Sequence, residues 1–259
     1  MSQKSARAQR SNAQRSNVVR TRRAASLKPF YIGLVVVLLV GIALIARALQ
    51  HSDASRPSIA NVAATPLQAQ GHLLGNPNAP VQVLEFADFG CPHCAEFATI
   101  TEPDIRKRII DAGLASYRFF DFPIGEFSNS VAASNAAACA GDQNKFWEMH
   151  DKLFQGQPDW DNANNPKDVF ERYAKALGLD VNAWDACYDS QKHLPEIKAD
   201  RDEGVRRGVN STPTFVIGTK QIPGAIPYDM FKAYVDTAAM AAKAASRDTA
   251  APKGASGQP

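Results

Sequence analysis

Acidic residues are missing from positions 1–50, a stretch that nonetheless carries nine bases: Lys4, Arg7, Arg10, Arg15, Arg20, Arg22, Arg23, Lys28 and Arg47. Of the 29 Lys and Arg residues, 20 remain for the rest of the 259-residue chain, against all 26 Asp and Glu. The positive charge therefore lives in a tail and the body is acidic. That distribution excludes a domain gripping nucleic acid through a basic face. Internal repeats are also lacking, which removes solenoid and propeller arrays. Strand character almost disappears between Ser128 and Gly208, so that block reads as helical. Cysteine is scarce, at four residues, and the lone C-x-x-C has no second ligand pair at fixed spacing, as a structural zinc site would require.

What is present begins with a charge-free run of 17 residues, 30–46, rich in Val, Leu and Ile. As a helix it spans about 25 Å, slightly short of a ~30 Å hydrocarbon core, with Lys28 and Arg47 able to snorkel at its ends. Bases before the run and few after it predict a cytoplasmic N-terminus and an exported body. A cleavable signal peptide is the alternative, with Ala46-Arg47-Ala48 as a small-x-small site. The long basic region and the length of the run favour a retained single-pass anchor. Either way the body works in an oxidising, extracytoplasmic compartment, periplasmic in a cell with an outer membrane. The expected layout is a disordered basic tail at 1–29, an anchor at 30–47, a linker rich in Ala, Ser, Gln and Pro at 48–71, one folded domain at 72–245 and a frayed tail at 246–259.

Within the domain, residues 73–80 read as a turn-rich entry and 81–87 as a buried strand. Residues 91–112 read as a helix with Phe97, Ile105 and Ile109 toward the core and a kink at Pro103. A second strand follows at 115–122. Helical segments are expected at about 129–141, 143–155, 167–177, 181–190 and 195–208, broken by Gly156, Pro158, Pro166, Gly178 and Pro195. Strand character returns at 214–217 with a short partner at 220–222, and Pro227 opens a last helix to about 245. The fold class is thus α/β: a β-α-β unit and a β-β-α unit flanking a helical insertion at about 128–208.

The stretch Phe89-Gly90-Cys91-Pro92-His93-Cys94 sits at the strand-to-helix junction. Two thiols spaced C-x-x-C there are a redox signature. Cys91 is expected in the first helical turn, where unpaired N–H groups and the macrodipole favour a thiolate. Pro92 suits a helix start, and a protonated His93 would add positive charge beside the sulfur. Cys91 is the expected nucleophile and Cys94 the resolving thiol. A static bridge or half a zinc site is the bland alternative, and would gain nothing from Pro-His at the helix start. Glu85, mid-strand, carries a charge that needs a task or a partner. The sequence offers it no evident basic partner, and a strand-edge salt bridge is its plain reading. Cys139 and Cys187 are candidates for a second disulfide, with buried free thiols or a redox relay as alternatives. The aromatic set Phe146, Trp147, Phe154, Trp160, Tyr173 and Trp184 reads most simply as helix packing.

Val83-Leu84-Glu85-Phe86, the Cys-Pro-His-Cys motif and Thr212-Pro213-Thr214-Phe215 together resemble the DsbA-like thiol–disulfide oxidoreductases of the thioredoxin superfamily, over about residues 72–245. The resemblance implies a thioredoxin fold with an inserted helical domain and a cis Thr212–Pro213 peptide against the redox pair. It implies that Thr212 and Pro213 receive an extended substrate segment, that Glu85 is the buried acid assisting proton transfer at Cys94, and that Cys139 and Cys187 form a structural bridge. The activity it implies is dithiol oxidation of reduced exported proteins, without cofactor or metal, by a monomer. Its implied partner is a membrane quinone-linked reoxidase of the DsbB or vitamin K epoxide reductase type. Reductase or isomerase activity of the same fold, or a tethered chaperone or metal-carrying thiol protein, are the competing readings.

Overall fold

The computed structural model describes residues 28–54, 57–62 and 67–250. Most of the expected basic tail, residues 1–27, and residues 251–259 of the expected C-terminal tail lie outside that range. Helix α1 (Lys28–Ala54) contains the charge-free run and is longer than the expected anchor, so it takes in the first residues assigned to the linker. Among the described residues no helix is long and apolar enough to cross a membrane. Helix α1 as far as Asp53 falls in one compact unit, and residues from Ala54 onward form another.

The second unit is built on a five-stranded sheet in the order β1-β3-β2-β4-β5. Strand β1 (His72–Leu74) occupies an edge, antiparallel to β3. The sequence reads this stretch as turns because three residues are too few to show a period of two; pairing with a neighbour makes it a strand. Strand β2 (Gln82–Ala87) is central and buried after its first residue. A continuous helical run follows, in which α2 (Pro92–Glu96) and α3 (Glu102–Ile105) alternate with π turns Phe97–Thr101 and Arg106–Ile110. The interruption expected at Pro103 takes this form: proline has no N–H to give the preceding turn, and the helix widens where that bond is missing.

Strand β3 (Ser116–Asp121) runs parallel to β2, as a β-α-β unit requires. The helical block comprises α4 (Ser130–Gly141), α5 (Phe146–Gln155), α6 (Gln157–Trp160), α7 (Lys167–Ala176), α8 (Val181–Asp189) and α9 (Leu194–Arg206). The sequence reading treats Gly156 and Pro158 as a break. Pro158 instead lies in the first turn of α6, where a missing N–H costs nothing. Strands β4 (Thr214–Ile217) and β5 (Lys220–Pro223) close the sheet as an antiparallel pair. Helix α10 (Tyr228–Ala250) runs five residues past the expected end, so 246–250 are helix and not frayed tail.

Register decides which side chains meet. Val83 and Glu85 of β2 pair with Tyr117 and Phe119 of β3 and with Ile217 and Phe215 of β4, and paired residues share a face. That face packs on the 92–110 run and α10 through Phe97, Ile105, Ile109, Phe215 and Phe231, all buried. The opposite face carries Leu84, Phe86, Phe120, Phe122 and Val209. The insertion has its own core of Met149, Leu153, Phe154, Trp160, Phe170 and Trp184, continuous with Phe89, Cys91 and Cys94.

Candidate functional site

Strand β2 ends at Ala87, and the chain must turn at once to start the helical run. Asp88 organises that turn. Its Oδ1 accepts from the Gly90 N–H at 2.8 Å, its Oδ2 from the Ile124 N–H at 2.9 Å, and its backbone carbonyl from the Cys91 N–H at 3.0 Å. Burial pushes the Asp88 carboxyl up to about 6. Gly90 is required by crowding: a Cβ there would stand 2.4 Å from Phe127 Cβ and 2.6 Å from Ser130 Oγ.

Cys91 is the N-cap of α2, with extended backbone, one position before the helical turn expected for it; Pro92 takes the first turn. Cys91 is 5% exposed and Cys94 is fully buried, and both are free thiols. The Cys91 thiol is lowered to about 5. The Cys94 thiol donating to the Cys91 sulfur contributes most, burial opposes it, and Thr212 and the backbone N–H groups of Cys94 and His93 add to the lowering. Cys94 moves the other way, well above an ordinary thiol, through burial and then through the neighbouring Cys91. The two sulfurs are thus split into an anion-favouring partner at the mouth and a proton-retaining partner beneath.

His93 stands apart from the role expected of it. Its imidazole is 75% exposed and its Nδ1 lies 3.5 Å from Glu96 Oε2, so the ring faces a carboxylate on the helix surface. What His93 gives the sulfur is its backbone N–H.

The Thr212–Pro213 peptide is cis, and the Cys91 thiol donates to the Thr212 carbonyl oxygen at 3.4 Å. The loop is held from behind by the Gly224 N–H, which donates to the Pro213 carbonyl at 2.7 Å.

Glu85 is 2% exposed and accepts from Tyr117 Oη at 2.6 Å. Burial raises its carboxyl well above the usual range; the charge of Glu102 raises it further, while Tyr117 and Arg106 act against this. Arg106 is the basic group that sequence reading does not supply. It reaches Glu102 through Nε at 2.8 Å, an i,i+4 pair legible in the sequence but 21 positions from Glu85.

Gln157 is the residue sequence reasoning misses altogether. From the short α6 its Nε2 donates to the carbonyls of Phe89 (2.6 Å) and Cys91 (3.1 Å), bracing the motif against the insertion. Cys139 and Cys187 are joined, tying α4 to α8. Besides that pair with His193, His72, Asp121 and Asp200 form the other metal-capable grouping among the described residues.

The family model described as Thioredoxin matches residues 68–237. The chain is 28% identical over 166 residues to disulfide bond formation protein D of Bacillus subtilis, covering 63% of this chain and 75% of that protein. The crystal structure of oxidised BdbD from Bacillus subtilis superposes with a TM-score of 0.58 at 27% identity, over 67% of this chain and 98% of that one. The chain is also 32% identical over 160 residues to Na(+)/H(+) antiporter NhaA 3 of Salinispora tropica, covering 61% of this chain. It spans only 23% of that antiporter's length.

Proposed function

The chain belongs to the thioredoxin family, and we propose on that footing that it is a DsbA-type thiol–disulfide oxidoreductase that donates the Cys91–Cys94 disulfide to exported proteins. One observation carries the reading: a thiol lowered to about 5 caps a helix directly above a buried thiol that holds its proton. Stabilising the thiolate stabilises the reduced pair, and a stabilised reduced pair is a strong oxidant.

The chemistry runs in two displacements. A substrate thiolate attacks Cys91 Sγ of the oxidised enzyme, a substrate–Cys91 bond forms, and the electron pair of the broken Cys91–Cys94 bond passes to Cys94, which takes a proton. The substrate's second thiolate then attacks the substrate sulfur, and Cys91 leaves as the thiolate that its surroundings favour. Thr212 and Pro213 line the approach to Cys91. Glu85, whose charge helps to raise the Cys94 thiol, exchanges the Cys94 proton.

The basic N-terminal region and the charge-free run support tethering with the catalytic unit outside the cytoplasmic membrane, and a membrane quinone-linked reoxidase as the electron acceptor. Turnover of a reduced, unfolded protein tests the activity: oxidation must vanish in Cys91→Ser, whereas a chaperone would keep working. Fractionation of the full chain, with protease access to the catalytic unit from outside, tests the tether. Recovery of the untrimmed chain in the soluble cytoplasmic fraction would refute it.

A further inference from the structure

Glu102 Oε2 and His150 Nε2 stand 3.9 Å apart, and neither atom has a hydrogen-bond partner. Both side chains are buried, at 1% and 0% exposure. Unpaired buried polar atoms cost folding free energy, because each gives up its bond to water and gains none in return. Packing alone does not explain them, since the ring is enclosed by Phe89, Phe119, Phe146, Trp147 and Phe154, where an apolar side chain would be at home.

The other atoms of the pair lead outward. Glu102 Oε1 accepts from Arg106 Nε at 2.8 Å. His150 Nδ1 lies 2.9 Å from Asp151 Oδ1, an acceptor, and 3.2 Å from Arg106 Nη2, a donor. A ring nitrogen between an acceptor and a donor is served in either tautomer: with a proton it donates to Asp151, without one it accepts from Arg106. Asp151 is 39% exposed and opens on solvent.

Inward lies Glu85. It is in register with Phe119, whose ring meets His150 edge-on at 5.1 Å, and the charge of Glu102 helps to raise its carboxyl. The ionisable groups around the imidazole are therefore Glu102 from α3, Arg106 from the second π turn and Asp151 from α5; beyond Glu102 come Glu85 from β2, Tyr117 from β3 and the thiols of Cys91 and Cys94.

We propose that Glu102 and His150 carry protons between solvent at Asp151 and the Glu85–Cys94 pair, an assignment that rests on the disulfide-exchange reading above. When the Cys91–Cys94 bond breaks, its electron pair goes to Cys94 Sγ, and Glu85 gives that sulfur one proton. Glu102 restores the proton to Glu85; a side-chain swing that closes the 3.9 Å gap brings Glu102 Oε2 within hydrogen-bond reach of His150 Nε2, which restores its proton, and Nδ1 draws the replacement from solvent past Asp151. One proton enters for each disulfide reduced, and it leaves by the same route when Cys94 is reoxidised. Glu102 and His150 act through Glu85 and do not touch the reacting sulfurs.

The test is the single-turnover reaction of oxidised full-length protein with a reduced dithiol peptide, followed as a function of pH. His150→Gln and Glu102→Gln each slow it roughly tenfold or more. Added imidazole recovers the rate in His150→Gln, and the thiolate titration of Cys91 stays in place in both. A wild-type rate and pH profile in both variants overturns the proposal. Should His150→Gln fail to fold, the near-isosteric Glu102→Gln decides by the same criteria. A wild-type protein that does not exchange with the peptide sinks the functional reading and this path with it. Normal exchange in wild type and variants alike sinks the path alone.

Discussion

The Cys91 sulfur lies 3.4 Å from the carbonyl oxygen of Thr212, a residue 121 positions away. Neither residue is unusual where it stands in the chain. Together they make the mouth of the site, with one wall supplied by each half of the interrupted fold.

The most direct consequence is the titration of Cys91. Its alkylation rate should follow a thiolate with a midpoint near pH 5. Because the folded value lies below that of the unfolded thiol, the stability it lends the reduced form is complete above the unfolded value and is lost as pH falls through about 5. At pH 7 that contribution is about 3 kcal/mol, or roughly 60 mV in the two-electron couple. Unfolding of reduced and oxidised protein against pH measures it, and a gap between the two forms that does not shrink toward acid would contradict the assignment.

Asp88 works with the opposite sign. Its carboxyl is pushed up to about 6 by burial, so between the unfolded carboxylate value and 6 the folded chain holds more protons than the unfolded one. Stability therefore falls as pH rises through that window, by roughly 3 kcal/mol. In Asp88→Asn this pH dependence should flatten, with chemical denaturation as the measurement.

Gln157→Leu removes the donor shared by the Phe89 and Cys91 carbonyls. The Cys91 carbonyl keeps the Ala95 N–H at 3.1 Å, but leaving the buried Phe89 carbonyl unserved should cost roughly 1–3 kcal/mol and loosen the motif, giving slower exchange at an unchanged Cys94. A variant as stable and as fast as wild type would show that α6 does not brace the site.

Replacing both Cys139 and Cys187 by Ala opens a loop with a sequence separation of 48. The chain-entropy model predicts a loss on the order of 4 kcal/mol, felt in the helical insertion. Exchange at Cys91 in the folded variant should persist, because the bridge lies in the α4–α8 contact and not beside the motif. Abolished exchange in a folded double variant would mark the pair as a redox relay.

Several elements were open to inspection in the chain itself. The buried strand at β2, the helix begun by Pro92, the helical character of the insertion and the strand after Pro213 all follow from local periodicity and from proline and glycine placement. Three residues of β1 carry no such period, and α6 hides behind two residues that usually break helices. His93 shows the limit most clearly. Adjacency in sequence puts its ring next to Cys91, but the helix start turns that ring outward to Glu96.

By itself the sequence determined the C-x-x-C pair at a strand-to-helix junction and the α-β alternation, because each depends on neighbours within a few positions. Only the tertiary structure decided which distant groups tune that chemistry: Thr212 over one sulfur, Gln157 under the motif, and Arg106, Glu102 and His150 behind Glu85. Hydrogen bonds and charges act through space over a few ångströms. Separations of up to 121 residues along the chain become such distances only once the sheet register and the helical insertion are in place.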